Sequence, residues 1–406
     1  MDLIIAKTIG LLMVAILVAI GARRLQLPYT VGLVIAGIAL ALSQVDLGIS
    51  LTRDIIFDII LPPLLFEAAL NLNWAELRRD AIPVLLLSVL GVLISTATVF
   101  WGVWALLGWP AESALVLGVL VAATDPVAVI ALFRDVGIKG RTKLLVESES
   151  LFNDGVAAVL FGLALTWIGG RSSGVIESVY LLLTVSGGGI VVGVATGAIA
   201  LLVAGRTGDH LVETAVTVVA AYGAFLGAEY LHFSGVLATV AAGLIVGSVG
   251  LRAAGQKFGV SHQGRAFALE LWEFLAFVVN SLVFLLIGLA ASHTGITAMG
   301  YIPLIVVIGL VLLGRAVSVY PICFLISRTR WAIKTNQQHV LMWAGLRGAL
   351  ALALALSLPA WVPMHEVIVI AAFGVVTFSV IVQGLTMQPL LKYLGMAPSL
   401  PPSNNN

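Results

Sequence analysis

Charge is scarce in this sequence. Only 10% of its 406 residues are Asp, Glu, Lys or Arg, against 60% hydrophobic ones, and the apolar excess runs the whole length of the chain. So little polar surface cannot solvate a globule of this size, which excludes a water-soluble protein. The formal net charge is +1, so there is no basic field to attract nucleic acid, and any charge bias must be sought loop by loop. Cysteine is nearly absent: Cys323, the one present, lies in an apolar run and cannot close an intrachain disulfide. The marks of a cleaved leader are missing as well. Asp2 precedes the first apolar stretch, no basic residues lead it, and Ala22-Arg23-Arg24 follows it, so residues 3–21 are expected to remain as a helix.

What is present is a series of apolar runs, each long enough to cross roughly 30 Å of hydrocarbon as a helix, upright or tilted. Thirteen are predicted, at 3–21, 28–44, 54–70, 80–108, 113–133, 144–168, 175–204, 210–229, 232–250, 265–291, 298–326, 337–358 and 364–390. The loops between them are short, leaving no room for an inserted soluble domain. Residues 1–392 are read as one transmembrane domain and 393–406, rich in Pro, Ser and Asn, as a disordered tail without a regulatory domain. The expected fold is thus an all-α membrane protein.

The charge pattern orients it. Lys and Arg in short loops collect on the cytoplasmic side. With the N-terminus outside and the C-terminus inside, the inner loops hold Arg23, Arg24, Arg78, Arg79, Arg134, Lys139, Arg141, Lys143, Arg206, Arg252, Lys257, Arg265, Arg328, Arg330, Lys334 and Lys392, and the outer loops only Arg53 and Arg171. A missed or invented helix would scramble that alternation.

Three basic residues then fall within spans. Lys7 is near an end and can snorkel, whereas Arg315 and Arg347 are deeper, with the acids Glu67, Asp125, Glu149, Asp154, Glu213 and Glu273. Ionisable groups at that depth face a cavity, a partner or a substrate. The sixth run opens Glu147-Ser148-Glu149-Ser150-Leu151-Phe152-Asn153-Asp154. At 3.6 residues per turn Ser150 and Asp154 share one stripe of the helix, and Glu149 and Asn153 the next. All offer oxygen, which an unhydrated hard cation requires; the acids are equally suited to locking helices together through the two arginines.

The fifth run contains Ala123-Thr124-Asp125-Pro126-Val127. Pro126 has no amide donor and disfavours helix at Asp125, so a break is expected there, with free carbonyls near Thr124 and with Asp125 set to neutralise the start of the next half-helix. In the twelfth run Gly345-Leu346-Arg347-Gly348 makes a second break plausible on the same grounds. Two interrupted helices in matching positions, fifth and twelfth of a six-one-six arrangement, point to two inverted six-helix repeats with broken helices crossing at the midplane.

At these residues the sequence resembles the sodium/proton exchangers of the monovalent cation/proton antiporter family. The resemblance is carried by Leu61-Pro62-Pro63-Leu64-Leu65-Phe66-Glu67, Ala123-Thr124-Asp125-Pro126-Val127, Glu149-Ser150-Leu151-Phe152-Asn153-Asp154, Glu229-Tyr230-Leu231-His232-Phe233-Ser234-Gly235 and Gly345-Leu346-Arg347-Gly348-Ala349, in family order. It implies a cation site built from the Asp154 carboxylate, the Ser150 hydroxyl and the Thr124 carbonyl, where Na+ would bind, with Asp125 direct or through water and Asp154 essential. Glu67 matches an acid on the cytoplasmic approach. Asn153 matches the amide that marks electroneutral members. Glu149 and Arg347 match a buried ion pair that positions Asn153, and Arg315 resembles an arginine facing the helix crossing, with Glu273 a second partner for it. A core bundle including the fifth, sixth, twelfth and thirteenth helices, a homodimer contacting membrane lipid, a place in the inner membrane and no cofactor are implied in turn.

Those expectations describe a secondary transporter exchanging Na+, Li+ or K+ for H+, proton and cation competing for Asp154. A solute symporter of the same architecture is the alternative. An intramembrane aspartyl protease needs a Gly-x-Gly-Asp segment, which the chain lacks, and the six histidines lie at span ends without forming a ligand cluster.

Overall fold

The computed structural model describes residues 2–25, 27–43, 52–170, 174–252, 260–293 and 299–396. Arg171, Lys257 and residues 397–406 of the predicted tail lie outside the described residues, as do the side chains of Lys7, Arg23 and His293. Among the described residues every regular element is helical. The first are α1 (Asp2–Leu25), α2 (Tyr29–Leu42), α3 (Leu61–Asn71), α4 (Trp74–Arg79), α5 (Ala81–Leu107), α6 (Ala111–Leu120), α7 (Val127–Val136) and α8 (Arg141–Ile168). There follow α9 (Val175–Ala204), α10 (His210–Tyr230), α11 (Gly235–Leu251), α12 (His262–His293), α13 (Tyr301–Leu325), α14 (Thr335–Trp343), α15 (Ala349–Leu356) and α16 (His365–Tyr393). Of these α5, α8, α9, α10, α12, α13 and α16 are each long and apolar enough to cross a membrane.

Helix ends follow local chemistry. Helix α7 stops at Gly137, whose φ of 78° costs a residue without Cβ nothing. Asp209 and Ser234 begin α10 and α11 by accepting from the amides of Leu211 and Leu237. Glu213, read above as a deep acid, instead lies in the first turn of α10 and accepts from the amide and the hydroxyl of Ser261 at 3.1 and 2.8 Å, closing the entry to α12.

The helices pack as two groups. Helices α2, α3 and α9 to α12 contact one another on one side; α5, α6, α8, α13, α15 and α16 do so on the other. Close approach depends on missing side chains: a Cβ on Gly37 of α2 would fall on the Leu285 carbonyl of α12, and one on Gly288 of α12 on the Val34 carbonyl of α2. The second group holds α6 and α15, one half of each interrupted helix, and with them the buried Glu149 and Arg315.

Candidate functional site

The fifth apolar run is two half-helices, α6 and α7, joined by unwound residues 121–126, and the twelfth is α14 and α15 joined by 344–348. Both breaks lie where the sequence places them. They meet: the Asp125 amide donates to the Leu346 carbonyl at 2.7 Å. The Asp125 carboxylate accepts from the Val127 amide at 2.9 Å and also from the Ala349 amide, so one negative charge faces the positive ends of both α7 and α15. A Cβ on Gly348 would fall on that carboxylate. Glycine at this position is therefore a matter of space for Asp125, beyond the helix weakening inferred from the sequence.

The two arginines exchange the roles the sequence suggested. Glu149 pairs with Arg315, not Arg347: two guanidinium nitrogens lie 2.6 Å from its two carboxylate oxygens, and Arg315 also donates to the Leu341 carbonyl of α14 at 2.9 Å. Arg347 instead donates to the carbonyls of Ala122 and Ala123 at 2.8 and 3.0 Å, at the negative end of α6. Glu273, named as a second partner for Arg315, pairs with Arg134 at 3.0 Å and its side chain is 68% exposed. The physical reason is the crossing itself. Contact between the breaks brings the Arg347 side chain onto α6, and α13, packed on α5 beside α8, presents Arg315 to Glu149.

Around this frame the buried polar side chains converge. Asn153 accepts from the Thr124 amide at 3.1 Å and donates to the Thr124 hydroxyl at 2.6 Å and to Glu149 at 3.3 Å. Hydroxyls of Thr124 and Ser150 lie 2.9 Å apart. The Glu149–Arg315 pair thus steadies Asn153, and Asn153 steadies the unwound chain at Thr124. The Thr124 carbonyl accepts no backbone hydrogen bond among the described residues. One turn on from Ser150, Asp154 is half-buried, and among the described residues its carboxylate has neither a hydrogen bond nor an ion pair; the charges acting on it are Asp125, Glu149 and Arg347. A carboxylate, a hydroxyl and a free carbonyl in a buried setting, one of them negative, suit a small hard cation or a proton.

Glu67 stands apart from this cluster. It accepts from Asn71 at 2.7 Å, has Arg134 at 3.9 Å, and lines a cavity of about 970 Å³ with Glu147, Glu270, Glu273, Arg134 and Lys392. The wall of that cavity includes Arg134 and Lys392, both read above as inner-loop residues, and reaches Pro126 and Val127 at the first break. Sequence reasoning missed Arg134 as a partner of Glu67 and Glu273 in the cavity wall, and also Ser88, whose hydroxyl donates to the Glu149 carbonyl at 3.1 Å from within α5. A serine in an apolar run has no sequence signal to single it out.

The transmembrane sodium/hydrogen exchanger family matches the chain over residues 10–393. The chain belongs to this family. Among its relatives, the exchanger is 41% identical over 385 residues to the Na(+)/H(+) antiporter ApNhaP of Aphanothece halophytica, covering 94% of this chain and 73% of that one. It is 34% identical to the Na(+)/H(+) antiporter NhaH of Halobacillus aidingensis, covering 95% and 97%. Among solved structures the sodium proton antiporter MjNhaP1 of Methanocaldococcus jannaschii superimposes with a TM-score of 0.77 over 97% of this chain and 99% of that one. At 22% identity that likeness shows the fold. A multi-pass membrane transporter, rather than an enzyme, is what this family membership describes.

Proposed function

We propose that the exchanger moves Na+, or Li+ or K+, against H+ by alternating access, and that cation and proton compete for Asp154. The observation that carries this reading is the half-buried Asp154 carboxylate, one helical turn on from Ser150, whose hydroxyl meets that of Thr124, and without a hydrogen bond or ion pair among the described residues. Relatives named as Na(+)/H(+) antiporters support the choice of cargo. Either cargo neutralises the carboxylate and lets the bundle around it move, while the bare charge resists crossing a low-dielectric barrier. Each half-cycle then carries one positive charge. Since Asn153 is an amide rather than a second acid, exchange is electroneutral provided Asp125 and Glu67 keep one protonation state through the cycle.

The reading includes thirteen spans in two inverted repeats, the N-terminus outside and the C-terminus inside, in the plasma membrane as a homodimer. It makes the 970 Å³ cavity the cytoplasmic approach and Glu67 an acid on that path. Purified protein in sealed vesicles with an imposed pH gradient tests it, each cation being added in turn. Dissipation by Na+ is the expected result; vesicles that hold their gradient against all three cations would overturn the exchange reading.

A further inference from the structure

A broken helix leaves backbone groups that its own halves cannot serve, and hydrocarbon offers them no partner. In the twelfth run several go to residues already described: the Leu341 carbonyl to Arg315, the Leu346 carbonyl to the Asp125 amide, and the Ala344 carbonyl to the Leu346 amide. Two others go to one helix. The Arg347 amide donates to the Ser379 hydroxyl at 3.0 Å, and the Trp343 carbonyl accepts from the Gln383 side-chain amide at 3.2 Å. Ser379 and Gln383 are the first and last residues of a π-helical stretch inside α16, Ser379–Gln383, and both are buried. Among the described residues π-helical stretches also occur at Ile55–Ile60, Leu86–Leu90 and Val246–Leu251; what sets this one apart is that it aims two neutral side chains at one break.

We propose that Ser379 and Gln383 are positioning residues for cation binding. They fix the main chain of the break at Arg347 and Trp343, and what they fix is transmitted. The Arg347 side chain holds the carbonyls of Ala122 and Ala123, the next residue is Thr124, and Thr124 is bonded to Ser150 and Asn153. The Ser379 hydroxyl proton points to the Val376 carbonyl at 3.0 Å or the Arg347 carbonyl at 3.3 Å, so its oxygen is free to receive the Arg347 amide. Alanine at 379 leaves that buried amide without an acceptor. The chain must then shift to satisfy it, and the guanidinium moves with it, off the end of α6.

This inference rests on the exchange reading above, and its test separates the two. In sealed vesicles the apparent KM for Na+ and the turnover are measured for the wild type and for Ser379→Ala, Ser379→Thr and Gln383→Leu, with thermal unfolding recorded with and without Na+. Ser379→Ala is expected to raise KM about threefold to tenfold, the effect of one hydrogen bond, with turnover changed by no more than about twofold. Ser379→Thr, which keeps the hydroxyl, restores KM, and the Na+-dependent rise in Tm shrinks in Ser379→Ala. A lower Tm with unchanged KM would make Ser379 structural only and overturn the proposal. Should Ser379→Ala not fold, Gln383→Leu carries the same expectation, and an unchanged KM there overturns it equally. A wild type that does not exchange removes the functional reading and this inference together; a wild type that exchanges beside variants of unaltered KM removes this inference alone.

Discussion

Arg315 grips Glu149 with two nitrogens, one on each carboxylate oxygen at 2.6 Å, and neither side chain is more than 6% exposed. The same guanidinium carries the Leu341 carbonyl, so α8, α13 and α14 are tied at one buried point. Bidentate geometry of this kind fixes direction as well as distance.

Removing one partner of such a pair strands a buried charge, at a cost of about 3–5 kcal/mol. Glu149→Gln and Arg315→Gln should each lower thermal stability in detergent, and the double variant should recover part of the loss. Glu149→Gln combined with Arg347→Gln should show no such recovery. Simple additivity for Glu149 and Arg315 would contradict the pairing seen here.

Much of this site was legible in the sequence because its signals are local. Pro126 and the glycines flanking Arg347 mark the breaks through backbone chemistry, and helical spacing alone puts Asp154 one turn from Ser150. The partner of Glu149 was not legible. Both arginines occupy apolar runs, and which one reaches α8 depends on how the two breaks cross, a relationship between residues more than 160 apart. Neutral side chains such as Ser88, Ser379 and Gln383 were invisible for a different reason: a hydroxyl or amide in an apolar helix is common, and only its partner shows what it does.

Asp154→Asn is expected to abolish cation-driven proton movement while leaving the protein folded. An amide cannot take up a proton or supply the charge a cation needs, and the variant loses no hydrogen bond or ion pair within the protein, because the carboxylate makes none among the described residues. Near-normal exchange in vesicles bearing this variant would remove Asp154 from the mechanism.

Ser150→Ala should weaken apparent Na+ affinity several-fold without stopping turnover, as one neutral ligand among several is lost. The measured KM decides. If it stays at the wild-type value, the hydroxyl serves Thr124 and not the ion.

At Gly348 a single methyl group would meet the Asp125 carboxylate. Gly348→Ala should therefore reduce the yield of folded protein and its unfolding temperature, whereas Gly309→Ala, with open space around the position, should do neither. Equal behaviour of the two variants would show that the contact between the breaks yields easily.

Exchange should also be electrically silent. With Asn153 in place of a second acid, transport in sealed vesicles should ignore an imposed membrane potential and create none, provided Glu67 and Asp125 keep one protonation state through the cycle. Current that persists on a solid-supported membrane after binding transients decay would identify a second proton carrier, with Glu67 the first residue to replace.

The shared atoms of the two breaks bear on the order in which the protein is made. Arg347 reaches carbonyls 225 and 224 residues earlier in the chain, and the Asp125 amide waits for the Leu346 carbonyl. While the ribosome is still in the first half, residues 121–126 have none of these partners, and lipid supplies no substitute. Pro126 disfavours an unbroken helix there, so the chain at 121–126 sits against water or protein until residues 344–348 arrive. The final shape of this break is thus expected late in biosynthesis, and a chain truncated before residue 346 should enter the membrane with residues 121–126 unfinished.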